Sequence, residues 1–495
     1  MESFANTAGS ASAPPKERPR PHVVLLPSPG AGHLIPMAEL ARRLVELHGF
    51  AATIVTFTNL SGPGDAHQLP PCLHASVAVA ALPAVQMDDL PANVHDGRVL
   101  AELVRRSLPN IRALLRSINC TTLLAAVVPD FLCSMALPVT AELGVPGYLF
   151  FPSNLAMVAL TRHIVELHEG AAPGDYRDVA VPLELPGGVS LCSADIPDAF
   201  RGSFANPRYA KLVELVRSYR LADGMLVNTF YDMEPATAEA FERLAAPEQA
   251  AGASAFSYPP VFPVGPFVRP TDPDEAAAGA STPCLEWLDR QPVGSVVYVA
   301  FGSGGALSVE QTAELAAGLE ASGQRFLWVV RMPSTDGGSD EDDPLAWLPE
   351  GFLERTRGRG LAVAAWAPQV RVLSHPATAV FVSHCGWNST LESVGCGVPM
   401  LAWPLYAEQR MNAVILEEKL GVALRVAPAV GGLVTRHEIA KAVKEVVEGD
   451  QKLRRRAEDL QKAAARAWSP EGPSRRALEE VAVKWKAALG RESNT

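Results

Sequence analysis

The sequence predicts an α/β protein made of two doubly wound domains. Three observations carry that expectation. The chain has 495 residues, more than one ordinary core accommodates. Short continuous apolar runs, the pattern of strands buried on both faces, alternate with stretches of helical period. The order strand, glycine turn, helix, strand occurs near the start, at His22–Thr58, and again from Gly294 onward.

Composition narrows the class. Hydrophobic residues make up 48% and charged residues 20%, the balance of a soluble globular protein. A net charge of -11 argues against nucleic acid as a partner, because phosphate-backbone binders carry a basic face. Residues 1–20 are small, polar and proline-containing, without the apolar centre of a secretory signal, and read as a disordered lead-in. No run approaches the roughly 18 apolar residues that a membrane span needs. Seven scattered cysteines without a CxxC pair fit reduced thiols in a cytoplasmic protein and exclude the usual structural zinc site.

The first domain is read as residues 21–265. HVVLLP is a buried strand, SPGAGH a glycine-rich turn, and Leu34, Met37, Leu40, Ala41, Leu44 and Leu47 recur at helical spacing. ATIVTFT is the next strand. Ligands of such sheets gather at the carboxyl ends of the strands, where Pro29-Gly30-Ala31-Gly32-His33 falls. The turn lacks the third glycine of GxGxxG, so a dinucleotide reading is weak. His33 stands at a helix N-terminus, whose positive end disfavours imidazolium and leaves the ring able to accept a proton. A structural histidine is the plainer alternative. LLAAVVPD is another buried strand, closing on Asp130, whose carboxylate either faces the same edge as His33 or caps the following helix. Pro129 cannot donate to a ladder, so the strand is expected to end there or pair loosely. GYLFF, residues 147–151, is the next strand. Residues 170–210 read as irregular loops, followed by a helix, the strand around LVNTF and another helix.

Residues 266–290 read as the linker, and the second domain as 291–470, with a final helix over 471–495. GSVVYVAFGSGG is strand then turn, where Ser303 and the neighbouring backbone N–H groups either suit a phosphate or form a plain turn. Asp340-Glu341-Asp342 has the spacing of a metal-holding DxD, but it follows Gly337-Gly338 with no strand leading in, and reads as a solvated acidic loop. The densest stretch runs from Trp366 to Gln409. Trp366 ends a strand and can stack on a base, and the Gln369 amide can pair with a pyrimidine edge. TAVFVSH is a strand ending at His384, and Cys385, Gly386, Trp387, Asn388 and Ser389 lead into a helix whose N-terminus suits a pyrophosphate. Glu392 can accept from ribose hydroxyls, and Glu408 and Gln409 can serve sugar hydroxyls. A core role for His384 and Trp387 is the bland alternative.

Trp366–Gln409, with its HCGWNS centre and terminal Glu-Gln, resembles the signature box of plant family 1 UDP-sugar-dependent glycosyltransferases. PSPGAGHLIP, FTNLSGPGDAHQLP, LVNTF and FGSGG occur in that family's order, and the first two resemble most the branch that glucosylates small phenolics of the phenylpropanoid and hydroquinone type. The resemblance implies the GT-B fold, two Rossmann-like doubly wound domains facing a cleft, with the final helix returning to the first domain. It implies His33 as general base and Asp130 as the carboxylate that orients it. It also implies Ser303, Trp366, Ala367, Gln369, His384, Trp387, Asn388, Ser389, Glu392, Glu408 and Gln409 as donor contacts, with Gln409 accompanying glucose. Pro129 departs from the aliphatic residue usual beside Asp130. Phe131, Phe150, Phe151, Met157 and Tyr406 are taken as walls of the acceptor pocket.

The activity so implied is inverting transfer of glucose from UDP-glucose to a small phenolic acceptor by a monomer, without cofactor or metal. A flavonoid or terpenoid alcohol is an alternative acceptor. A nicotinamide oxidoreductase would need GxGxxG and a ribose-binding acid among residues 52–58, neither of which is present. A Ser-His-Asp hydrolase of the GxSxG type lacks its elbow. A non-catalytic sugar-nucleotide binder would have no use for His33 and Asp130.

Overall fold

The computed structural model describes residues 20–60, 76–89, 97–169, 179–201, 207–245, 258–268, 283–333, 343–426, 432–449 and 451–492. The lead-in to residue 19, most of FTNLSGPGDAHQLP, the Asp340-Glu341-Asp342 run and linker residues 269–282 lie outside the described residues.

The first unit is a parallel sheet. Strands β1 (Pro21–Leu26), β2 (Ala51–Phe57), β3 (Val77–Leu82) and β4 (Leu123–Pro129) pair in the order β3-β2-β1-β4. Strand β5 (Tyr148–Phe151) begins a second group, interrupted in sequence by an antiparallel hairpin of β6 (Leu183–Leu185) and β7 (Val189–Leu191). That group continues with β8 (Gly224–Val227) and β9 (Val261–Pro263), in the order β5-β8-β9. Parallel bridges Val127 to Gly147 and Asp130 to Phe150 join the two groups edge to edge.

Pro129 is the last residue of β4, where the sequence places the end of the strand. It sits in register with Leu26, and Asp130 N–H donates to the Leu26 carbonyl at 3.0 Å. In a parallel strand successive N–H groups face alternate neighbours. The N–H that Pro129 lacks would point toward β5, where pairing is confined to the two bridges.

The second unit contains β10 (Val296–Ala300), β11 (Arg325–Val330), β12 (Gly360–Ala364), β13 (Thr378–Ser383), β14 (Met400–Ala402) and β15 (Ala423–Arg425). Its parallel order is β12-β11-β10-β13-β14-β15. In each sheet the strand order reverses beside the first strand, between β1 and β4 and between β10 and β13. A reversal leaves a crevice at the carboxyl ends of the two strands, because their following segments leave to opposite faces.

Helix Ala31–His48 buries Leu34, Met37, Leu40, Ala41 and Leu44 as the period requires, whereas Leu47 is exposed and Val45 takes its place in the core. Glycine at 49, with φ 69°, ends it in the left-handed conformation. Helix Pro283–Leu288 falls within the span read as linker, yet buries Cys284, Leu285, Trp287 and Leu288, so folded structure resumes earlier than expected. The last helix, Pro473–Glu492, inserts Leu478, Val481, Ala482 and Trp485 into the core of the first sheet, against Phe50 and Tyr148. Burying four such side chains is worth several kcal/mol at about 25 cal/mol per Å² of apolar area.

The units share one continuous apolar cluster, in which Leu160, Phe230 and Met233 of the first meet Trp387, Leu391 and Leu460 of the second. Ion pairs Arg425–Asp195 and Arg410–Asp198 tie residues near β15 to the loop after β7.

Candidate active site

Both strand-order reversals carry polar side chains, and the two sets face each other. On the first sheet, the chain leaves β1 through Pro27 and Ser28, and Gly30 opens the helix at φ 113°, a conformation that a side chain would disfavour. The Gly30 carbonyl accepts from the N–H groups of His33 and Leu34, both at 3.1 Å, which fixes His33 on the first turn. Its Nδ1 lies 2.8 Å from Asp130 Oδ2, with the carboxylate fully buried and the imidazole side chain 22% exposed. The ring is turned so that the N–H is not aimed squarely at the oxygen, a looseness common before substrate binds.

Asp130 is both cap and partner. Its Oδ1 accepts from the N–H groups of Leu132 and Cys133 at 3.0 Å, starting a 3-10 turn over Phe131–Ala136. Its Oδ2 accepts from the Ser28 N–H at 2.8 Å and the Ser28 hydroxyl at 2.5 Å. Burial alone would push this carboxyl up; His33 and Ser28 outweigh burial and hold it below its ordinary value. Ser28 was missed in the sequence, where Ser-Pro before the glycines reads only as turn chemistry. Phe131 stacks on His33, centroids 5.6 Å apart, and Phe151 backs Phe131 at 4.9 Å.

On the second sheet, His384 directly follows β13 and lies between two glycines. A methyl group on Gly302 would sit 2.6 Å from its Nε2, and one on Gly386 2.4 Å away. Burial pushes this imidazole down to about 4, so the ring is neutral, and its Nδ1 has no protein partner. Helix Trp387–Cys396 starts at Gly386 with no side-chain cap, leaving its first N–H groups and the positive end of its dipole directed at the crevice. Ser303 is exposed on the turn after β10. Among the described residues the non-glycine positions with positive φ are Ala365, Cys385 and Ala407, which follow β12, β13 and β14 in turn. Such backbone costs roughly 1–3 kcal/mol per residue and gathers at functional sites. At Ala365 it throws the Trp366 ring outward, 62% exposed.

Two of the contacts between the units lie at the helix N-terminus of the second sheet. Asn388 Nδ2–H donates to the Gly32 carbonyl at 2.9 Å, and the Trp387 indole N–H donates to the Asn228 carbonyl at 2.7 Å. The residue before His33 is thus bonded to the helix N-terminus of the other sheet.

Residues 256–456 match the family described as UDP-glucoronosyl and UDP-glucosyl transferase. The hydroquinone glucosyltransferase of Rauvolfia serpentina is 44% identical over 475 residues, covering 94% of this chain and 98% of that one. The chain belongs to the UDP-glucoronosyl and UDP-glucosyl transferase family. UDP-glycosyltransferase 72B1 of Arabidopsis thaliana is 41% identical over 485 residues, 95% of this chain and 98% of that one. The structure of Phytolacca americana UGT2 complexed with UDP-2fluoro-glucose and pterostilbene superposes at a TM-score of 0.81 with 41% identity, over 94% of this chain and 100% of that one.

Several side chains differ from the expectations drawn for this family. Gln369 does not offer a free amide to a base: its Oε1 accepts from Tyr298 at 3.3 Å, and its Nε2 donates to Ser389 at 2.9 Å and Glu392 at 2.6 Å. Trp387 is 2% exposed inside the shared apolar cluster, with its indole N–H engaged, so its side chain does not face a ligand. The Gln409 Oε1 accepts from the N–H groups of Leu405 and Tyr406 at 2.8 and 2.9 Å, holding its own loop. Glu408, half-buried beside His33, has its carboxyl pushed up by burial. Ala367 is buried behind Trp366.

Phe150 is not an acceptor wall. Alternation along β5 turns it into the core behind the sheet, against Phe267, while Phe151 turns toward Phe131. Met157 is partly buried at the edge of that cluster, and Tyr406 is 43% exposed with its hydroxyl against Gly304, on the lip of the second unit. Ser153, just past β5, has a buried hydroxyl without a protein partner and was not singled out in the sequence. Among the described residues no three His, Cys, Asp or Glu side chains come together as a metal site, and no helix is long and apolar enough to cross a membrane.

Proposed function

We propose that this protein transfers glucose from UDP-glucose to the hydroxyl of a small phenolic acceptor, with inversion, giving a β-O-glucoside. The reading is supported most by one juxtaposition: His33 stands 2.8 Å from Asp130, and the residue before it is bonded to the helix that would take the pyrophosphate. In this reading a proton acceptor stands beside the sugar-bearing end of a bound UDP-sugar.

The chemistry follows from the two environments. With Nδ1 turned to Asp130, His33 presents Nε2 to the acceptor. The phenolic oxygen bonds to the anomeric carbon as its proton passes to Nε2, and the bond from that carbon to the phosphate oxygen breaks. Asp130 stabilises the imidazolium that forms, and Ser28 holds the carboxylate in place. Charge on departing UDP is met by the N-terminus of helix Trp387–Cys396 and by Ser303, Ser389 and the neutral His384. One displacement inverts the α-linked donor. Trp366 stacks the base, Glu392 serves the ribose and Glu408 the sugar hydroxyls. The aromatic face of Phe131 beside His33 favours a flat aromatic acceptor.

The relatives' names agree with that class: one is a hydroquinone glucosyltransferase, and a solved neighbour holds a fluorinated UDP-glucose with pterostilbene. The test is incubation of purified protein with UDP-glucose and a panel of hydroquinone, larger phenols, flavonoids and terpenoid alcohols. Mass spectrometry should find monoglucosides of the simple phenols first, with β-configuration by proton NMR coupling. Turnover confined to aliphatic alcohols, or an α-glucoside, would reject the reading.

A further inference from the structure

A buried pair of asparagines, 258 positions apart in the chain, spans the two units. Asn154 begins helix Leu155–Leu167 just past β5, and Asn412 lies on helix Gln409–Val414; both are 0% exposed. The direction of each bond is forced from both ends. The Met157 backbone N–H can only donate, so it meets Asn154 Oδ1, at 2.8 Å. Asn154 Nδ2 must then donate, and Asn412 Oδ1 receives it at 2.7 Å. Asn412 Nδ2 in turn donates to the Cys385 carbonyl at 2.9 Å, which can only accept.

The far end of this relay is a strained turn. Cys385 has φ 65°, its N–H is tied to the Ser383 hydroxyl at 3.1 Å, and the next residue, Gly386, begins the uncapped helix. The peptide held by Asn412 therefore sets where the free N–H groups of that helix point. Asn412 also reaches the Glu408 carboxyl, beside the expected sugar.

We propose that Asn154, on the acceptor-side unit, is a positioning residue for the donor: through Asn412 it holds the Cys385–Gly386 turn in the conformation that receives the pyrophosphate. The inference rests on the donor reading above. Loss of the relay leaves the Cys385 turn free to relax from its costly backbone conformation, and two buried amides lose their orientation.

Asn154→Ser is the informative change, because serine still caps the helix but is too short to reach Asn412. Calorimetric titration with UDP should show Kd raised about tenfold, which is about 1.4 kcal/mol and the size of one net hydrogen bond. The KM for UDP-glucose should rise with it, while the acceptor KM stays within about twofold. Asn412→Ser, which leaves the Asn154 cap untouched, should give the same pattern and serves if the first variant fails to fold. Equal UDP affinity in wild type and a folded variant would overturn the relay, and so would parallel weakening of donor and acceptor. Absence of UDP binding by the wild type would instead overturn the donor reading itself.

Discussion

Two histidines lie at the strand-order reversals of the two sheets, one after the first strand of its sheet and one after the strand across the reversal, and their surroundings separate them. His33 follows the first strand of the first sheet, is 22% exposed and has a buried carboxylate at 2.8 Å. His384 follows the strand that flanks the order reversal of the second sheet, is 8% exposed and is walled by Gly302 and Gly386. The first has a partner for an imidazolium; the second has none, and burial holds it neutral. The two reversals thus hold an imidazole beside a buried carboxylate on one side and an uncharged ring without a protein partner at Nδ1 on the other. Sequence position alone would treat them alike.

The contrast can be broken most strongly through pH. Burial pushes the folded His384 imidazole down to about 4 from its ordinary 6.5, so the unfolded chain takes up its proton first. Its contribution to stability is present above pH 6.5, falls as pH drops from 6.5 to 4, and amounts to on the order of 3 kcal/mol. Urea denaturation at stepped pH should show that slope, and His384→Asn should flatten it. Trp366→Ala should weaken UDP binding by roughly 1–3 kcal/mol, the worth of one base stacked on an aromatic ring, with little change in melting temperature because the ring is outside the core. Gly302→Ala places a methyl group 2.6 Å from the His384 ring at a positive φ, and should cost about 1–3 kcal/mol of stability by thermal melting while lowering UDP affinity. The smallest effect belongs to Ser28→Ala. It removes one of the two Ser28 donors to Asp130 and should lower kcat about tenfold, near 1.4 kcal/mol, with the acceptor KM unchanged.

The sequence made the sheets and the crevice legible because buried strands are continuous apolar runs and their carboxyl ends are where polar residues collect. His33, Asp130, His384 and the helix after it were placed by that rule, together with the resemblance of Trp366–Gln409 to a known box. What stayed hidden depends on contacts between distant segments. Ser28 looks like turn chemistry until β4 brings Asp130 beside it. Trp387 reads either as a donor contact or as a core aromatic until Asn228 arrives from the other unit to take its N–H. The strained residues Ala365, Cys385 and Ala407 are not glycines, so residue type gives no sign of their backbone conformation. Phe150 and Phe151 sit in a strand of four apolar residues, where no alternation says which side chain faces the crevice.

The central claim is that proton transfer belongs to the first unit and donor binding to the second, and His33→Ala tests it most directly. Turnover of UDP-glucose on a phenol that the wild type accepts should fall by about 10²–10⁴-fold, the usual worth of general-base assistance, while calorimetric affinity for UDP stays the same. Near-normal turnover by His33→Ala, or a loss fully explained by weaker UDP binding, would contradict the account.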